Sequence, residues 1–211
     1  MEKLFNKEDL SKIKSGTFNI ESLKENGEEY TACSFYVGCT GNILNAYAVK
    51  YYIKGTKIEH IFVAEEEKVS GNSMSNCVNN SRKYLDNKHN IIIDSRGIGY
   101  GAIDVLENDY LTDEGILYKG FELYNPHQRF LRRIIPESMT TSYIECAIIA
   151  LKDFIRDGRL HIESSLYKKI LEELSLIEYE MKDDKMQIHY NKREYIDNLL
   201  LICQINNEIL Y

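Results

Sequence analysis

Residues 90–106, NIIIDSRGIGYGAIDVL, drive three isoleucines straight into Asp94 and then into a glycine-studded turn. A carboxylate at the tip of a buried strand is costly to keep charged unless something compensates it. Asp94 or Ser95 could cap a following helix by accepting backbone N–H groups. A phosphate-cradling turn is excluded: the run carries G-x-G-x-G rather than G-x-G-x-x-G, and G-x-x-x-x-G-K-[ST] occurs nowhere in the chain. The third chemistry is a hard divalent cation, which needs several carboxylate oxygens converging from different segments.

Other acidic residues stand where elements begin or end. Glu21 follows Asn19 by two residues, which puts both on one face of an extended strand. Glu28 and Glu29 open the next apolar run, and Glu194 and Asp197 are three apart at the start of the last helical pattern, on one helix face. A two-metal site brings two cations within about 4 Å, activating a water and neutralising the leaving oxygen of a phosphodiester. Each candidate also has a plainer reading. Glu28 and Glu29 suit a solvated turn, and Glu194 lies three residues after Asn191, as in a capping box.

The remaining inventory narrows the chemistry. The five histidines show no H-x-x-x-H spacing, no Ser/His/Asp arrangement is legible, and the five cysteines form no C-x-x-C pair. That argues against zinc and nucleophilic catalysis and for a reducing, intracellular setting, with Cys146 and Cys203 in apolar helical patterns as core residues. A formal charge of −7 excludes a broad basic coat for nucleic acid, but not a nuclease whose acidic site adds negative charge. Arg129, Arg132 and Arg133 form a local basic cluster, readable as a DNA contact or as a solvated face.

The elements that must position these residues follow from periodicity. Residues 1–15 are polar and poorly periodic and are expected to form a flexible tail; residues 16–211 are expected to form a single domain. GTFNIES reads as a first strand, YTACSFYVG and ILNAYAVKYYIKG as a hairpin, and KIEHIFVAEE as the next strand. Helical spacing predicts helices over 71–88, 99–107, 140–158, 163–180 and 192–210, with strands at NIIID, near ILYKGFELY, at RLHI and at MQIHY. NIIID is apolar throughout, as in a strand covered on both faces. The order, hairpin strands first and then alternating α and β, is that of an α/β domain with a mixed sheet. No apolar run approaches membrane-spanning length.

Residues 90–125 resemble the surroundings of the second acidic motif of phage terminase large-subunit nuclease domains. In that family an apolar strand ends in Asp, a G-x-G turn follows, and a helix carries Asp-x-Leu, here Asp104, Val105 and Leu106. IIALKDFIRDGRLHI is similar to the family's helix and short-strand step, and ILEELSLIEYEM with KREYIDNLL to its closing helices, so the resemblance spans residues 16–210. It implies an RNase H-like fold: a mixed sheet of antiparallel hairpin strands and then parallel strands, flanked by helices. It also implies an endonuclease using Mg²⁺ or Mn²⁺, presumed two-metal by family, that cuts double-stranded DNA during genome packaging. Its setting would be the cytoplasm of an infected bacterial host, with the terminase ATPase domain, portal or small terminase subunit as partners and no membrane.

By the same resemblance Asp94 is the second-motif acid, and Glu194 and Asp197 are the catalytic counterparts of the third. The implied ligand set is Asp94, Asn19, Glu21, Glu29 and Asp197, with Arg129, Arg132 and Arg133 toward DNA. Asn19 stands where the family has Asp, and it is a weaker, neutral ligand. The alternative is therefore an impaired nuclease-fold module that binds DNA or a packaging partner without cleaving. No Walker motif is present, so the chain carries no terminase ATPase signature.

Overall fold

The computed structural model describes residues 1–17, 27–37, 43–53, 59–69, 73–82, 91–123, 133–191 and 194–203. The chain runs β1 (Glu2–Lys3), α1 (Lys7–Ser11), β2 (Lys14–Gly16), β3 (Gly27–Val37), β4 (Ile43–Ile53), β5 (Glu59–Val69), α2 (Met74–Ser81), β6 (Ile91–Asp94) and α3 (Ile98–Glu107). It continues with β7 (Tyr110–Leu111), β8 (Leu117–Tyr118), β9 (Glu122–Leu123), β10 (Arg133–Glu137), α4 (Thr141–Arg156), β11 (Leu160–Glu163), α5 (Ser164–Leu174), β12 (Glu178–Lys182), β13 (Lys185–His189) and α6 (Glu194–Cys203).

The main sheet has the order β2-β11-β5-β4-β3-β6-β10-β9. β4 runs antiparallel to both β3 and β5, and β6 and then β10 add parallel to β3. With helices on both faces, this is the RNase H-like mixed sheet that the resemblance implies. β6 shows why its isoleucines are continuous. Ile92 packs with α4, α5 and α6 on one face, while Ile91 and Ile93 pack with α2 and α3 on the other. All three are at most 1% exposed, and each such burial stabilises the strand by roughly 1.5–3 kcal/mol.

Several boundaries differ from the sequence reading, each for a local reason. The expected tail is ordered: Leu4, Phe5 and Ile13 are buried, β1 pairs with β12 and β2 with β11. Asn6 and Asp9 form a reciprocal capping box that starts α1. The helix expected over 163–180 ends at Leu174, because residues 178–189 form a hairpin instead. Its turn places Asp183 and Asp184 at positive φ, the conformation a tight hairpin demands. α4 behaves as read, with the Thr140 hydroxyl accepting the Tyr143 N–H at 3.2 Å and Gly158 at φ +64° just beyond its end. Cys146 is exposed, not core, whereas Cys203 is buried. Among the described residues no helix is long and apolar enough to cross a membrane.

Candidate acidic site

Asp94 ends β6 at the edge where the parallel strands finish. The strand period puts it on the face of Ile92, the face covered by α6. It does not cap α3: the N-cap is Gly97, with no side-chain cap bond. Gly97 holds φ +58°, and Gly99 presses onto the strand end so closely that a Cβ there would stand 1.7 Å from the Asp94 carbonyl oxygen. Two of the turn's glycines therefore serve backbone geometry rather than phosphate.

The Asp94 carboxylate is held by Arg96 in a fork. Arg96 Nε donates to Oδ1 at 2.9 Å and Nη2 donates to Oδ2 at 2.9 Å. The Arg96 and Met139 backbone N–H groups also donate to Oδ1, at 3.3 and 3.5 Å. Burial by itself raises the Asp94 pKa, but the bonds and charge of Arg96 outweigh it and hold the carboxyl below its ordinary value. Asp197, from the first turn of α6, is close enough for its charge to act on the same guanidinium. Asp94 thus holds the Arg96 guanidinium directly, and the charge of Asp197, from a separate element, acts on it without a bond.

The supporting residues explain how α6 brings Asp197 there. Asp197 is 1% exposed and accepts the Tyr190 hydroxyl. The Glu173 carboxylate of α5 accepts the Ile196 N–H at 3.2 Å, occupying a donor of the first turn of α6. The Tyr143 hydroxyl of α4 donates to the Leu201 carbonyl at 3.0 Å and ties α4 to α6; burial, then the charge of Glu137, pushes its pKa up.

Glu137 was not anticipated, although RIIPE repeats the logic of NIIID: an apolar strand ended by a carboxylate. It is the register partner of Asp94 on the neighbouring strand, and burial raises its pKa. Arg96 was likewise missed, since a single arginine in a turn carries no spacing signal.

The other expected residues fall differently. Asn19, Glu21, Arg129 and Arg132 lie outside the described residues, as do the side chains of Glu29, Arg133 and Glu194. The strands beside β6 are β3 and β10, and Phe35 is level with Ile93. Glu29 sits six positions earlier along β3, about 20 Å from the Asp94 end, so the fold does not bring it to Asp94. Arg133 opens β10, about 13 Å from Glu137 at its acidic end. The stretch of β3 that reaches the level of Asp94 is Ser34, Phe35, Tyr36 and Val37, which contains no carboxylate.

Among the described residues no three His, Cys, Asp or Glu side chains gather as a metal group. The resident guanidinium is the informative feature: it occupies the Asp94 carboxylate as a cation would, with the charge of Asp197 acting on it, and these residues alone do not supply the ligands of two ions.

The architecture is an RNase H-like mixed sheet, and solved structures narrow the fold. The large terminase nuclease from thermophilic phage G20c is similar to this chain with TM-score 0.56 at 14% identity, covering 92% of this chain and 94% of that one; that structure has bound cobalt. The same nuclease with bound magnesium gives 0.55 at 13%, over 92% and 94%. The Thermus phage P74-26 large terminase nuclease domain gives 0.54 at 12%, over 92% and 90%. No family model and no curated relative matches the chain. The chain has the fold of phage large terminase nuclease domains.

Proposed function

We propose that the chain is a metal-dependent endonuclease domain of the phage large-terminase kind, cutting double-stranded DNA during genome packaging. The observation that carries this reading is the Asp94 carboxylate at the end of the central parallel strands, paired with a cation, on a fold shared with terminase nucleases. Asp94 and Asp197 would hold the ion, and Mg²⁺ or Mn²⁺ suits carboxylate oxygens; neighbours carrying cobalt and magnesium support divalent use. When bound, such an ion polarises a phosphoryl oxygen and acidifies a water.

The chain's own residues prepare the site. The backbone N–H groups of Arg96 and Met139 orient the Asp94 carboxylate, and the Tyr190 hydroxyl orients that of Asp197. Glu137, with its pKa raised by burial, is the candidate proton acceptor at the same edge. Further ligands for a second ion would come from Glu194, one turn before Asp197, and from Asn19 and Glu21 ahead of β3. Arg129, Arg132 and Arg133 are the proposed DNA contacts. The same reading supplies the ATPase domain, portal or small terminase subunit as partners, and the cytoplasm of an infected bacterial host as the setting.

One observation favours a second reading. The segment of β3 beside Asp94 carries no carboxylate, which weakens the metal site and favours a module that grips DNA without cutting it. Supercoiled plasmid incubated with the domain and Mn²⁺ or Mg²⁺ separates the two. Nicking or linearisation that disappears in Asp94→Ala and Asp197→Ala is the expected result. Plasmid binding without cleavage would favour the second reading, and undiminished cleavage by Asp94→Ala would reject Asp94 as a ligand. Asn19→Asp would raise cleavage if that position completes the site.

A further inference from the structure

We propose that Arg96 is a resident, displaceable cation of the acidic centre, and that its guanidinium competes with a divalent ion for the Asp94 carboxylate. The inference rests on the reading of Asp94 and Asp197 as the ion's carboxylates. It goes further in assigning to one side chain of this domain the control of cation affinity.

Three features of the geometry support it. First, the guanidinium uses both carboxylate oxygens, at 2.9 Å each, in the in-plane fork that Arg forms with carboxylates. A divalent ion seeks the same carboxylate oxygens at roughly 2.1 Å and is repelled by a guanidinium charge forked onto them, so fork and ion compete. Second, the Arg96 side chain is 44% exposed and that of Asp94 only 13%, so the guanidinium covers the carboxylate from the solvent side and can leave toward water. Third, the backbone N–H groups of Arg96 and Met139 reach Oδ1 independently of the guanidinium. Release of the side chain therefore leaves the carboxylate still oriented.

Asp197 adds the reason that an arginine belongs here. Asp197 is buried on the helix packed against this face, and its negative charge favours a cation at Arg96. Either a guanidinium or a metal ion satisfies the requirement, and the two compete for it.

The test is titration calorimetry of Mn²⁺ into the DNA-free domain, comparing the wild type with Arg96→Gln and Arg96→Lys. Arg96→Gln is expected to bind Mn²⁺ about tenfold or more tightly than the wild type, with Arg96→Lys between them because an ammonium cannot fork. Adding Asp94→Asn to Arg96→Gln is expected to erase the gain. Equal or weaker binding by Arg96→Gln, with a cooperative urea transition retained, would overturn the competition while leaving Asp94 as a ligand. If Arg96→Gln unfolds, Arg96→Lys decides in the same way. No Mn²⁺ binding by any of the proteins would overturn the ligand reading, and the competition with it.

Discussion

Helix α3 has an arginine at each end, and the two are held in opposite ways. At its C-terminal end Arg82, only 3% exposed, donates to the carbonyls of Val105, Asn108 and Lys119 and to Asn79 Oδ1. It stabilises the carbonyl end of the helix, where unsatisfied oxygens and the helix dipole both favour a cation. At the N-terminal end Arg96 is half-exposed and its side chain forks onto one carboxylate. A buried cation surrounded by backbone oxygens has nowhere to go, whereas a half-exposed one on a carboxylate can exchange with water or a metal ion. The first belongs to the fold and the second to the site.

The largest effect should come from the backbone beneath Arg96. Gly99→Ala would place a methyl 1.7 Å from the Asp94 carbonyl oxygen, so α3 must lift off β6. A loss of about 3 kcal/mol or more in urea denaturation is expected; a loss below about 1 kcal/mol would refute the close seat of the helix on the strand. Arg82→Ala should cost about 3 kcal/mol, since it strands several buried oxygens at once. Amide exchange at the end of α3 should accelerate in that variant, and exchange near Asp94 should change much less.

Acid separates the charged pair from a neutral one elsewhere in the sheet. His60 Nδ1 and His161 Nε2 lie 2.9 Å apart, so one ring donates and the other accepts, and protonating both breaks the bond. Burial lowers both pKa values, that of His161 to about 4, against 6.5 in an unfolded chain. The unfolded chain binds the extra proton first, so stability falls as pH drops from 6.5 toward 4. The loss should be about 1 kcal/mol once solvent screening of the half-buried rings is allowed for, and His161→Gln should flatten that slope. Asp94 behaves otherwise: with its pKa held below 3.8, its contribution stays intact through this window and is lost only in stronger acid. Arg96→Gln should lower the urea-derived stability by about 1 kcal/mol, since it leaves the largely buried Asp94 carboxylate without its guanidinium, while altering cation affinity.

The sequence made the apolar framework readable because burial imposes a period. NIIID was legible as a doubly covered strand, and the stripe of Ala147, Ile148, Leu151 and Ile155 as the inner face of α4, since both patterns are dictated by what they touch. The hairpin at 178–189 was hidden because Ile177 and Met181 happen to extend the helical spacing of α5; Met181 is in fact 63% exposed. Asp94 was legible as the end of an apolar run, and Asp197 as one of two acids on a helix face. That the helix of Asp197 packs over the strand of Asp94 was not legible, because it depends on α6 crossing β3, β4 and β6, a long-range contact that local spacing does not encode. Glu29 misled for the same reason: its type was right for a ligand, but the parallel register of β3 with β6 carries it to the other end of the strand.

The most direct measurement is anomalous diffraction from a crystal of the domain soaked in Mn²⁺. The expected result is a manganese peak bonded to the carboxylates of Asp94 and Asp197, with the Arg96 side chain turned out toward solvent. An intact Asp94–Arg96 fork at saturating Mn²⁺, with no peak beside Asp94, would contradict it.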